Sequence, residues 1–295
     1  MAMLSDIECL VAERFGVSES PVWDGARDRL YWSDNTSGNV HAIDLVSRRR
    51  LVWRFDGLIG SLGLARSRRV VVAHGDTVSL LDPDSDAREV VARVPLPASV
   101  WKLNDGKVGP DGAFWVGAMA KRGPARRPVA SLYRVSPDGG VATVIEGGIL
   151  VSNGLAWSPD GARMYHSDSQ GMWIDVWDFD RAAGAIGNRR RFAEPSRADG
   201  LPDGAATDIE GHYWSAGFTA CAFNRFAPDG TLASKIPVPC ACSMPCFGGA
   251  DMRTVFFTSL SDHVTAEEVA DCPLTGGVFV ARAAVAGVPV PKFAD

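Results

Sequence analysis

Short apolar runs separated by polar turn residues recur along the chain: Leu30-Tyr31-Trp32-Ser33-Asp34, Val70-Val71-Val72-Ala73-His74, Phe114-Trp115-Val116-Gly117, Met164-Tyr165-His166-Ser167-Asp168, Tyr213-Trp214-Ser215-Ala216 and Val255-Phe256-Phe257-Thr258-Ser259. Runs of this length, rich in aromatic and β-branched residues, read as strands. Their first residues lie 40, 44, 50, 49 and 42 positions apart, the period of propeller blades, each a small antiparallel sheet that hides its faces against its neighbours. Further half-buried strands follow several of them, at Val40–Asp44, Ser131–Val135, Ile174–Asp178 and Val278–Arg282, where apolar and polar residues alternate. Pro110-Asp111-Gly112, Pro137-Asp138-Gly139, Pro159-Asp160-Gly161 and Pro228-Asp229-Gly230 combine a fixed proline φ, a turn-forming Asp and a permissive Gly, as strand-to-strand turns require. Helical periodicity is confined to a short stretch around Thr265 to Asp271, expected to be one turn in a loop. The expectation is an all-β, six-bladed β-propeller, formed as one domain over residues 1–295 with no low-complexity linker.

Composition narrows the function classes. At 46% hydrophobic and 22% charged residues, the chain can bury a sizeable core unaided, which implies a monomer or a weak homo-oligomer. A net charge of -5 argues against a nucleic-acid partner, because phosphate binding needs a concentrated basic face. Met1 to Arg14 lacks a basic segment followed by an apolar core, and no run is long enough to span a bilayer, so no membrane partner and a cytoplasmic location are expected. Six cysteines then read as thiols, and the Cys240, Cys242 and Cys246 cluster lacks the C-x-x-C pairs usual in zinc sites.

Four polar residues, Glu19, Asn104, Asn153 and Asp203, lie far apart in sequence, each in a short motif beside a strand repeat. Blades arranged around one axis bring such side chains together at the centre. Two carboxylates and two amide oxygens make a hard, all-oxygen set suited to one divalent metal ion: calcium, magnesium, manganese, zinc or ferrous iron. Taken singly, Asn-Gly and Asp-Gly pairs merely make turns.

The segments Glu19-Ser20-Pro21-Val22-Trp23, Leu103-Asn104-Asp105-Gly106-Lys107-Val108, Ser152-Asn153-Gly154-Leu155-Ala156-Trp157 and Pro202-Asp203-Gly204 resemble, in order, the signatures of the gluconolactonase/regucalcin (senescence marker protein) family. The resemblance implies a six-bladed propeller with one divalent metal in its channel and hydrolysis of a small-molecule sugar lactone to the aldonic acid. By motif it implies Glu19, Asn153 and Asp203 as metal ligands, with Asn104 close to the metal or the substrate, and it places Asp203 as candidate general base. A metal with open positions polarises a lactone carbonyl and holds the developing oxyanion.

Two positions depart from better-known members: Lys102 stands where an Arg is frequent, and Arg122 falls near where some present a Glu to sugar hydroxyls. Both, with Asn104, are expected to contact substrate, and the change toward basic residues points to a carboxylated or otherwise acidic lactone. Lys121 to Pro128 reads either as a lid over the site or as a solvated loop. His74 and His166 are expected on inner strands, as satisfied core histidines or as channel-lining hydrogen-bond donors to substrate. Trp23, Trp101, Trp115, Trp157 and Trp214 are assigned to packing between blades, and Asp34, Asp168 and Ser169 to support of the ligands. Two other readings stay open: another metal-dependent ester or organophosphate hydrolase on the same propeller, and a non-enzymatic calcium-binding regulatory protein. No G-x-S-x-G, H-E-x-x-H or Walker-type motif competes.

Overall fold

In the computed structural model, which describes residues 3–124, 126–262 and 264–295, twenty-four strands form six four-stranded antiparallel sheets. They are the blades of a β-propeller. The innermost strands, in chain order, are Ser18–Asp24, Ile59–Leu64, Val100–Val108, Ser152–Trp157, Pro202–Thr207 and Cys242–Gly248, and they define blades one to six. In blades one to five the chain runs outward through four consecutive strands. Blade six takes its outermost strand, Leu4–Val11, from the other end of the chain, paired antiparallel with Val278–Ala283. The ring is therefore closed by main-chain hydrogen bonds between the two ends of the sequence.

The six repeats found in the sequence are real strands, but each is the second from the axis, and the expected half-buried strands are the third. The innermost strands are the signature segments themselves. The Pro-Asp-Gly turns close hairpins as expected, with Gly112, Gly139, Gly161 and Gly230 all at positive φ. The single α-helix among the described residues is Ala266–Asp271. Between blades, large rings fill the wedges: Trp115 meets Trp157 and Phe179 edge-on, and Trp214 meets Phe247.

At the lower end of the channel the C-terminal segment crosses the axis. Val288 donates to the carbonyl of Thr207 in blade five, and Phe293 to that of Leu64 in blade two. Between these anchors Pro289, Val290 and Pro291 lie against the ends of all six innermost strands, around a space of only about 40 Å³. Phe293 is fully buried. No helix among the described residues is long and apolar enough to cross a membrane.

Candidate active site at the upper mouth of the channel

Every innermost strand breaks its register with the second strand, and the breaks fall where the polar residues sit: between Glu19 and Val22, Leu103 and Gly106, Asn153 and Ala156, and Pro202 and Ala205. A bulge bends the strand and re-aims a side chain. Here it turns Glu19, Asn104, Asn153 and Asp203 into one cavity of about 590 Å³ on the axis. Two bulges need unusual backbone: Ser20 has φ +48° and Gly154 φ +66°. A Cβ at Gly154 would stand 2.3 Å from the Tyr213 hydroxyl and 2.4 Å from that of Ser167, so no larger residue fits.

A hydrogen-bond chain fixes the amides. Asn104 Nδ2 donates to the Ser152 carbonyl at 2.9 Å and to Asn153 Oδ1 at 3.2 Å, and Asn153 Nδ2 donates to the Ser169 hydroxyl at 2.6 Å. Asp168 accepts from the main-chain amides of Leu150 and Val151 at 2.7 and 3.0 Å and so holds the turn leading to Asn153. Asp34 plays the same part before Glu19, accepting from Val17 and Thr36. Lys102 lines the cavity but directs its three ammonium protons at the Ile59 and Leu103 carbonyls and at Asn104 Oδ1, all at 3.1–3.2 Å. Its contribution is charge and the orientation of Asn104, and burial lowers its pKa to about 8.

The carboxylates are differently placed. Glu19 and Asp203 are buried, and both acids are pushed well above the ordinary carboxyl range, chiefly by burial and then by repulsion from neighbouring carboxylates. A third carboxyl, Asp105, lines the same cavity; burial raises its pKa too, and its Oδ1 has no hydrogen-bond partner. Glu19 Oε2 accepts the Ser20 amide at 2.8 Å. Lys107, below, gives its ammonium to the Ala205 carbonyl. Three buried carboxyls share one cavity, and Lys102 beside Glu19 and Lys107 beside Asp105 offset them only in part, since all three stay raised. Clustered hard oxygens of that kind fit a divalent cation. Another acidic group, Asp208, Glu210 and His212, has its ligand atoms within 4.8 Å of one another. Arg225 already fills it, at 2.8 Å from Asp208, 2.6 Å from Glu210 and 2.9 Å from His212 Nδ1.

Some expectations need correction. His74 and His166 lie on second strands, outside the cavity lining. His166 bonds Ser152 Oγ at 2.7 Å, and burial lowers its pKa to about 3, so it is a neutral core residue. Trp101 is not packed between blades: it is 43% exposed and lines the cavity, with the Arg122 guanidinium 5.8 Å above its ring. Arg122 and Arg126 both line the cavity from the Lys121–Pro128 loop, whose Ala125 lies outside the described residues. Sequence reasoning missed Asp105, hidden in an Asn-Asp-Gly stretch that reads as a turn, and Arg126, one of several basic residues in an apparent surface loop. All six cysteines are free thiols, and none lines this cavity.

A six-bladed propeller with a hard-oxygen cluster at the channel mouth defines a class of protein, and comparison places the chain within it. Residues 17–261 match the SMP-30/Gluconolactonase/LRE-like region, and the chain belongs to this family as a gluconolactonase-like enzyme. It is 36% identical to a 6-deoxy-6-sulfogluconolactonase from Pseudomonas putida, over 99% of this chain and 100% of that protein. It is 32% identical to regucalcin from Gallus gallus, with 98% of each chain covered. Among solved structures, a calcium-binding regucalcin from Agrobacterium tumefaciens superimposes with a TM-score of 0.89 at 26% identity, covering 97% of this chain and 96% of that one.

Proposed function

We propose that this chain is a metal-dependent lactonase that opens a sugar lactone to the aldonic acid, with Glu19, Asn153 and Asp203 holding one divalent ion. The observation that carries this reading is the convergence of these three residues, with Asn104 and Asp105, on one axial cavity in which burial and mutual repulsion raise the acids. A divalent ion there supplies Lewis acidity toward the lactone carbonyl. Asp203 takes a proton from the attacking water as its oxygen bonds to the carbonyl carbon, and returns that proton to the ring oxygen as the ester bond breaks. The product acid then ionises, so turnover releases one proton. Asn104, held by Lys102 and Ser152, positions the lactone beside this centre.

A regulatory calcium-binding role is favoured by the likeness to regucalcins. Calcium takes six to eight oxygens, however, and an open cavity of about 590 Å³ beside three protein ligands leaves positions for water and substrate. The test is proton release from a panel of 1,4- and 1,5-aldonolactones by chelated protein, with and without added divalent ions. Activity is expected to return with metal. Asp203→Ala and Asn153→Ala are expected to lose it while far-UV circular dichroism stays unchanged. Full lactone hydrolysis by both variants would overturn the assignment.

A further inference from the structure

Of the nine tryptophans, eight pack their rings against another aromatic or histidine ring, and all eight are buried or half-buried. Trp101 is the exception. It is 43% exposed, meets no other aromatic or histidine ring among the described residues, and lines the axial cavity. A large ring left in water is the uncommon case for this residue type, and inside a concave site it marks a surface that a ligand covers.

The backbone accounts for its placement. The innermost strand of blade three carries two register breaks, and the first falls at Trp101: Val100 pairs with Ala120 and Lys102 with Met119, which leaves Trp101 unopposed. The device that aims Asn104 at the axis thus also turns this ring out of the wedge between blades and into the mouth. The Arg122 guanidinium lies over the indole at 5.8 Å and restrains its tilt. Met119 forms a main-chain bridge with Val151, and both line the same cavity together with Leu58. With Trp101 they add an apolar shelf to a site whose metal-binding groups are all polar. Trp101 and Asn104 stand three residues apart on one strand, about 10 Å of backbone at most, close enough for one small ligand to touch both. A sugar ring matches such a pair of surfaces, because its hydroxyls and carbonyl lie around the edge while its C–H bonds form apolar faces. An edge turned to Asn104 and the acids leaves a face for the indole.

We propose that Trp101 is the platform for the substrate ring, stacking on the C–H face of a sugar lactone whose carbonyl is directed at the centre formed by Glu19, Asn153 and Asp203. This rests on the lactonase reading for the identity of the ring. Trp101 binds and orients the substrate; it touches no reacting atom and exchanges no proton.

The experiment has two readouts, taken in the divalent ion that supports turnover, or in calcium if none does. In the first, tryptophan fluorescence is followed on titration with glucono-1,5-lactam, the ring analogue in which an amide replaces the ester. Covering the exposed indole is expected to move the emission to shorter wavelength, and Trp101→Phe is expected to abolish that shift while still binding the lactam within about threefold of wild type by calorimetry. In the second, kcat and KM on glucono-1,5-lactone are compared for wild type, Trp101→Phe and Trp101→Ser. Trp101→Ser is expected to raise KM about tenfold with kcat within about twofold, and Trp101→Phe to restore most of that loss, since a smaller ring still offers a face. Melting temperatures of both variants should stay within about 2 °C of wild type, as expected for an exposed side chain. An unchanged KM in Trp101→Ser, or a lactam that binds without moving the emission, would overturn the platform. If no lactone is turned over, the lactonase reading fails and the lactam titration decides alone: a shift lost in Trp101→Phe upholds a sugar-ring platform, and no binding overturns it. A shift with δ-decalactone and none with the lactam overturns the sugar ring in favour of an apolar substituent.

Discussion

The innermost and second strands of each blade lie side by side yet follow opposite rules. All six pairings between second and third strands run in continuous register. Every pairing between innermost and second strands is broken by at least one shift. The second strands carry the buried aromatic and β-branched side chains, such as Tyr31-Trp32, Val70-Val71-Val72 and Phe256-Phe257. The innermost strands carry Glu, Asn, Asp, Gly and Pro. One layer supplies rigidity, and the layer beside it uses that rigidity to hold bulges and buried charge that would not persist alone.

The comparison is broken most directly at the ligands. Asp203→Ala should cost about 10³-fold or more in kcat with no change in fold, as expected for loss of a group acting on the reacting water. Next is Gly154→Ala, which puts a Cβ against Tyr213 and Ser167 at positive φ. It should lower unfolding free energy by about 2–4 kcal/mol in urea titrations and reduce turnover at least tenfold by displacing Asn153. Val72→Ala, in a second strand, is the control for the other layer: a stability loss of about 2 kcal/mol with turnover within about twofold of wild type. Equal losses of activity in the last two would erase the distinction between the layers.

The smallest effect concerns pH. With no metal bound, the raised Glu19 and Asp203 carboxyls keep protons that the unfolded chain releases. Their folding contribution is therefore most favourable below about pH 4, the ordinary carboxyl value, and declines as pH rises toward the raised folded values. Melting temperature of the chelated protein should fall as pH rises above about 4, the ordinary carboxyl value, while excess divalent ion flattens the slope. Asp203→Asn should also flatten it. A chelated protein whose melting temperature rises as pH climbs above about 4 would contradict the picture of buried acids held protonated beyond their ordinary range.

This layering explains what was legible in the sequence. Apolar periodicity revealed the regular layer, which gave the blade count and the all-β class, because burial on both faces selects Val, Phe, Trp and Tyr in continuous runs. It placed those strands at the channel wall, one position too far inward, because the true innermost segments have the composition of turns. Glu19, Asn104, Asn153 and Asp203 were found through family motifs, since bulged Asn-Gly and Asp-Gly pairs carry no strand signal of their own. Asp105 escaped for the same reason. Trp101 and Arg126 escaped because nothing local distinguishes an aromatic that lines a cavity from one that packs a wedge, or an arginine facing a cavity from one facing water.

The C-terminal segment has a consequence for traffic. With Pro289, Val290 and Pro291 lying across the lower end and Phe293 buried beyond them, the propeller is a cup rather than a tube. Whatever enters from the upper mouth must leave by the same doorway. A departing product therefore obstructs the next arrival, so end-product inhibition should be strictly competitive.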